Sequence, residues 1–198
     1  MKKMIAAAAV CLGITGGAVS AQAQEISYYA GLGLGAVSVD YKAAGIDQKK
    51  SSFGGYANFG ADFNEYFAAE MRVGMTGKDK KTYAGAITRT FSSPTFVSVL
   101  GKFKYPVSSD FNLYMVAGAT TARIKGQMTS PGSSLSQTQT KTGLSLGAGF
   151  DYKLDNHVSV GSEWVQYMFP VKLSTGSVFA AGSKARMWGI TGNVTYHF

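Results

Sequence analysis

The carboxy-terminal thirteen residues constrain the fold of this chain more than any other segment. From Arg186 to Phe198, Trp188, Ile190, Val194, Tyr196 and Phe198 share one face of an extended strand, and Gly189, Thr191, Asn193, Thr195 and His197 share the other, because strand side chains alternate with period two. A soluble sandwich rarely ends on a strand with three aromatics on one face and only small or polar residues on the other. The pattern suits a strand with hydrocarbon outside and a filled or wet interior inside. A sheet in a bilayer must also close on itself, since an open edge would leave backbone N–H and C=O groups unpaired.

The same alternation recurs upstream. Strands are expected over about 26–40, 52–63, 67–76, 95–105, 111–125, 143–152 and from Val158 to about Trp164, and the terminal strand makes eight. Tyr28, Leu32 and Leu34, then Phe53, Phe59 and Phe63, then Phe67, Met71, Val73 and Met75 trace one apolar face. Gly, Tyr, Asn and charged residues trace the opposite one. The abundance of Gly (25), Phe (12) and Tyr (11) against only 4 Pro agrees with an all-β chain. An even number of antiparallel strands of about ten residues is what an up-and-down transmembrane barrel requires. The fold class expected is therefore an all-β, eight-stranded antiparallel up-and-down transmembrane β-barrel.

Residues 1–23 read as a secretory signal peptide: Lys2 and Lys3, a short apolar run from Met4 to Gly13, and Ala21-Gln22-Ala23 as the cleavage site. The apolar run is about half the ~20 residues needed for a spanning helix. The barrel domain is then 24–198. The single cysteine, Cys11, lies in the leader, so no disulfide or thiolate metal site is expected.

Three connections are short, near Asn64, Pro106 and Leu154, and four are long, over 42–51, 77–94, 126–142 and 168–184. Short turns face the periplasm in barrels of this kind, which places both termini there. The third long connection, rich in Ser, Thr and Gln, is expected to be a mobile loop, because such a composition buries no core.

On these residues, on the Gly-x-Gly strand beginning at Tyr29 and on the terminal aromatic, the chain resembles the small eight-stranded outer-membrane barrels of the OmpA, OmpX and opacity-protein type. The resemblance implies a Gram-negative outer-membrane location. It also implies outer-membrane lipid, lipopolysaccharide and the barrel assembly machinery as partners, with Trp188, Ile190, Val194, Tyr196 and Phe198 as the assembly signal. A host or extracellular ligand at the loops is a further expected partner. No cell-wall-binding domain of the kind larger relatives carry is expected.

Charge is unevenly placed. The long-loop side carries 13 basic residues against 3 acidic ones, an excess of +10, while the remainder after residue 23 carries 4 against 8, or −4. Lys78, Lys80, Lys81, Arg123, Lys125, Lys184 and Arg186 are the expected lipopolysaccharide rim, since cations there can pair with the phosphates of the outer leaflet; a solvated basic surface is the plainer alternative. Parity turns Asp62, Glu70, Arg72, Lys102, Lys104, Asp151 and Glu163 inward. Eight strands leave an interior just wide enough for side chains, and charges held there are costly unless paired. A salt-bridged plug is therefore expected, with an ion path as the alternative. In it, Glu70 is expected to serve Arg72 and Lys102.

Other motifs point nowhere new. Gly31-Leu32-Gly33-Leu34-Gly35-Ala36 matches a dinucleotide fingerprint in letters, but no βαβ unit accompanies it. The His157-Val158-Ser159 sequence resembles the His-x-Ser of barrel lipid A deacylases, yet it falls at a periplasmic turn, away from that substrate. With only two histidines, no metal site is expected. Nor is a catalytic centre, a cofactor or a nucleic-acid partner. The expected function is non-enzymatic: envelope stability, lipopolysaccharide contact and loop presentation, adhesion included. A narrow porin-like channel is the first alternative and a lipid A-modifying barrel enzyme a remote one.

Overall fold

A computed structural model describes the backbone of residues 26–43, 46–48, 51–83 and 87–198. The leader reading over 1–23 lies outside the described residues. Ten strands are described: β1 (Ser27–Ala43), β2 (Ile46–Gln48), β3 (Ser51–Asp62), β4 (Phe67–Thr76), β5 (Asp79–Tyr83), β6 (Ile87–Pro106), β7 (Phe111–Ser130), β8 (Ser133–Lys153), β9 (Val158–Lys172) and β10 (Lys184–His197). Eight of them form a closed antiparallel ring in the order β1-β3-β4-β6-β7-β8-β9-β10, with β10 returning to β1. The remaining two, β2 and β5, extend the ladders of β1 and β6 at the long-connection end. The chain is an eight-stranded up-and-down transmembrane barrel.

Closure depends on β10, which pairs with β1 from Tyr29↔His197 to Lys42↔Lys184. Ile190, Val194 and Tyr196 are exposed on the outer face, in register with Ala36, Leu32 and Ala30 of β1. Phe198 follows the strand, and its N–H donates to the Tyr28 carbonyl at 2.9 Å. Trp188 differs from these four. It is only half exposed, because its indole N–H donates to Asp40 Oδ2 at 3.3 Å.

The three short turns share one design. Asn64 Oδ1 accepts the N–H groups of Tyr66 and Phe67 at 2.8 and 2.7 Å, Ser108 Oγ those of Asp110 and Phe111 at 3.4 and 3.1 Å, and Asp155 Oδ1 those of His157 and Val158 at 2.7 and 2.8 Å. Side-chain acceptors of this kind satisfy donors that the reversing backbone leaves free. At the exposed Asp155, the bonds from His157 and Val158 hold the carboxyl below its usual pKa.

The connection expected to be mobile over 126–142 is instead a protruding hairpin. β7 and β8 stay in register from Gln127↔Ser136 to Ser130↔Ser133, and Pro131-Gly132 turns the chain with Gly132 at φ 80°, as a type II turn requires at its third position. A two-stranded ribbon needs no core of its own when its ladder continues one that the barrel has already nucleated. Its side chains are mainly Ser, Thr and Gln, and two of them, Gln137 and Gln139, hydrogen-bond to the backbone of the β9–β10 connection at Val178, Phe179 and Ser174.

Inside the barrel, aromatic rings lie over glycines on the neighbouring strand. Tyr56 stands opposite Gly33 and Tyr29 opposite Gly60. A Cβ at either glycine would collide with the facing ring. The glycines, small inward positions and not a nucleotide loop, let two Tyr rings lie flat and reach the barrel axis.

Candidate functional site

Two features of the barrel can carry function: its charged interior and its basic outer rim. In the interior, Arg72 of β4 and Glu163 of β9 stand four strands apart in either direction around the ring. Their contact therefore spans the full lumen. Arg72 Nη2 donates to Glu163 Oε2 at 2.9 Å, Nη1 donates to Glu163 Oε1, and Nε donates to Glu70 Oε1 at 2.5 Å. Arg72 is 1% exposed. Buried charges of this kind hold only when their remaining bonding capacity is met, and here Tyr side chains meet it. Tyr56 and Tyr114 donate to Glu163 at 2.7 and 3.1 Å, Thr191 donates to it at 3.3 Å, and Tyr29 donates to Glu70 at 3.0 Å. The guanidinium also lies 4.4 Å from the centre of the Tyr56 ring, a cation–π contact.

Below this tier, Lys102 pairs with Asp151 at 2.6 Å and Lys104 with Asp62 at 2.8 Å, each pair bridging strands two apart in the ring. The expected service of Lys102 by Glu70 is not found. Lys102 is in register with Ala68, one inward step from Glu70, and turns toward β8, where its ammonium lies 3.8 Å from the centre of the Tyr114 ring. Thus all seven inward charges predicted from parity face the lumen, in three ion-paired groups. The tyrosines that complete them carry no charge pattern, and their signal in the sequence is only their inward parity.

The periplasmic end holds a polar cavity of about 450 Å³ lined by both Lys–Asp pairs, Tyr29, Ser159 and His197, among others. A separate small cavity of about 10 Å³ lies beside the Arg72 tier. In the cavity wall, Ser159 Oγ is 3.1 Å from His197 Nε2, and His197 Nδ1 is 3.9 Å from Asp62 Oδ2. His157, the partner suggested for Ser159 by sequence, is an exposed turn residue. No group of three or more His, Cys, Asp or Glu suited to a metal occurs among the described residues.

Above the Arg72 tier, Ser98, Thr120 and Ser145 form a hydroxyl chain at 2.6 and 2.7 Å that ends on the Tyr167 carbonyl at 2.8 Å. The interior then becomes apolar: Val39, Tyr41, Phe96, Ile124, Met168 and Met187 are buried. The β9–β10 connection folds into this mouth, with Phe179 0% exposed and its ring 6.0 Å from that of Tyr41. Gln137 Oε1 accepts the N–H groups of Val178 and Phe179 at 3.1 and 3.4 Å, and the Ala180 N–H donates to Tyr41 Oη at 3.2 Å. Sequence reading took this connection for an external loop; its inward-turned Phe179 is the residue that reading missed.

On the outer rim, Lys78, Arg123, Lys125 and Lys184 are exposed, whereas Arg186 is half exposed and paired with Asp40 at 2.7 Å. Lys80 and Lys81 lie on β5 opposite Thr90 and Arg89 of β6, with side chains outside the described residues. The rim stands above a continuous apolar band that includes Leu34, Met75, Val99, Leu144 and Ile190.

Among the solved structures to which this chain is similar are three small barrels. It matches Ail of Yersinia pestis, solved with the heparin analogue sucrose octasulfate, at 19% identity over 86% of this chain and 99% of that one, with a TM-score of 0.53. It matches Neisserial surface protein A at 16% identity over 88% and 100%, TM-score 0.52. For OprG of Pseudomonas aeruginosa the figures are 15% identity, 87% and 96% coverage, and a TM-score of 0.56. A comparison with curated protein sequences finds no match. The family described as outer membrane protein beta-barrel domain matches residues 9–198. The closed ring, the lipid-facing band and that match together establish that this chain is a Gram-negative outer-membrane protein belonging to the outer membrane protein β-barrel domain family.

Proposed function

We propose that this protein is a non-conducting, non-enzymatic envelope barrel whose outer surface contacts lipopolysaccharide and presents its long connections to the exterior. The observation that carries the reading is the Arg72–Glu163 contact across the full lumen, doubled by Glu70 and packed by Tyr29, Tyr56 and Tyr114. A charged cross-brace serves a barrel that must keep its shape. It also obstructs a pore, since an ion would have to break paired, buried charges to pass. An exposed basic rim directly above an apolar band suits the phosphates of the outer leaflet. Phe198 and the aromatic face above it serve recognition by the assembly machinery.

Single-channel recording of the refolded barrel in a planar bilayer tests the sealed-lumen reading, with silence expected. Discrete openings in the wild type would transfer the function to the narrow-channel reading. That alternative is favoured by the polar cavity of about 450 Å³ at the periplasmic mouth. An acyl-hydrolase role for Ser159 is disfavoured by geometry. The Asp62 carboxylate is engaged by Lys104 at 2.8 Å and stands 3.9 Å from His197, and Ser159 is 3% exposed. Unaltered lipid A masses after overexpression are expected.

A further inference from the structure

Backbone register brings three lysines of distant sequence side by side on the outer face. Lys42 of β1 stands opposite Lys184 of β10, and Lys184 stands opposite Lys172 of β9. All three are exposed, and none forms an ion pair among the described residues. Like charges directly opposite across strands are destabilising, so the row costs the bare barrel stability. Two acids lie nearby. Asp47 stands opposite Lys42 on β2, at the far end from Lys172. Asp40, one outward step below the row, is buried and engaged by Arg186 at 2.7 Å, by Trp188 at 3.3 Å and by Ser38.

Depth identifies what relieves the row. Beneath Lys184 the outer face of β10 reads Arg186, Trp188, Ile190, passing from cation through indole to exposed apolar. Four residues separate Lys184 from Trp188, about 13 Å along a strand at ~3.3 Å per residue, or about 10 Å along the membrane normal at a tilt of about 40°. Indoles settle at the membrane–water boundary, and lysine stems reach back from above it into the headgroup layer. The row thus lies where lipid phosphate lies.

We propose that Lys42, Lys184 and Lys172 form a phosphate-binding site for one lipopolysaccharide headgroup, with its acyl chains against Ile190, Trp164 and Leu34 at the β9–β10–β1 seam. The site deepens the lipopolysaccharide contact proposed above and rests on it. It lies apart from the Lys78, Lys80, Lys81 cluster, which follows β4.

The test uses the double variant Lys172→Gln/Lys184→Gln, refolded and confirmed by its heat-modifiable gel shift. Binding to micelles of intact lipopolysaccharide is expected to weaken about tenfold. Binding to micelles of the dephosphorylated lipid is expected to match wild type. In detergent free of lipopolysaccharide the variant is expected to unfold in urea at or above the wild-type midpoint, because the repulsion has gone. Unchanged affinity for intact micelles, or an equal loss with dephosphorylated ones, would overturn the site. If Lys78→Gln/Lys80→Gln/Lys81→Gln weakens binding while the double variant does not, lipopolysaccharide contact stands and this site falls. If neither variant nor dephosphorylation changes affinity, the lipopolysaccharide reading itself fails.

Discussion

Arg72 has two carboxylates, and they are not equivalent. Glu163 accepts from both Nη atoms and from Tyr56, Tyr114 and Thr191, whereas Glu70 accepts from Nε and Tyr29. Breaking a buried ion pair costs about 3–5 kcal/mol. Glu70→Ala leaves Arg72 its Glu163 partner and is expected near the lower figure, while Glu163→Ala should lie at or above the upper one. Urea unfolding of the refolded variants measures both, and midpoints equal to wild type in the two variants would remove the brace. Gly33→Ala tests the glycine shelf beneath Tyr56: the added methyl displaces a ring that carries both the Arg72 contact and a Glu163 bond, at a cost of about 1–3 kcal/mol from overpacking, read from the same denaturation curves. Parity alone placed these charges inside, because strand alternation is local. It could not give their partners. Which inward residues share a height depends on strand stagger around the closed ring, a property of the whole sheet that no single strand encodes, and so Lys102 was matched to its neighbour Glu70 instead of to Asp151.

Between elements, the β10–β1 seam separates assembly from stability. Phe198 contributes one backbone bond, to Tyr28 at 2.9 Å, and a ring contact with Tyr196 at 5.4 Å, beyond a ladder that already runs from Tyr29↔His197 to Lys42↔Lys184. Deleting Phe198 should therefore cost the folded barrel only about 1 kcal/mol for the lost bond, while a recognition role predicts loss of the heat-modifiable form from the outer membrane of cells. Undiminished outer-membrane levels would remove the recognition role. The turn at Asp155 supplies a pH readout. Hydrogen bonds from His157 and Val158 lower its pKa, so their contribution is complete above the ordinary carboxylate pKa of about 3.9 and is lost as pH falls through the lower folded value. The amide resonances of His157 and Val158 should hold their shifts at pH 5 and move only in that acidic window, and Asp155→Asn should abolish the movement. All three short turns could be located from sequence because an Asn, Ser or Asp acceptor sits between two apolar strand ends. The 126–142 hairpin was not legible, since a ribbon with polar residues on both faces lacks the apolar alternation by which strands are recognised.

For the molecule as a whole, the proposed reading closes the lumen twice, by different chemistry at different heights. The ring, its strand count and its orientation follow from alternation and connection lengths. The outer closure does not, because Leu173, Val178 and Phe179 sit in a connection whose composition resembles that of any external loop. What commits Phe179 to the interior is distant in sequence: the Tyr41 ring and hydroxyl group on β1, the Gln137 amide on β8, and Gly126 on β7, where a Cβ would stand 3.0 Å from the Phe179 ring. Two closures in series make a prediction that either one alone would not. Replacing residues 174–182 by a short Gly-Ser turn removes the apolar cap but leaves the Arg72 brace, and the barrel should remain silent in a planar bilayer. The triple variant Glu70→Ala/Arg72→Ala/Glu163→Ala removes the brace without stranding a charge and leaves the cap, and it should be silent as well, though less stable. Combining the two should produce discrete conductance steps in preparations whose gel shift confirms a folded barrel. Conductance from the cap replacement alone would show that the brace does not close the lumen; silence of the combined variant would show that the remaining side chains close it without either.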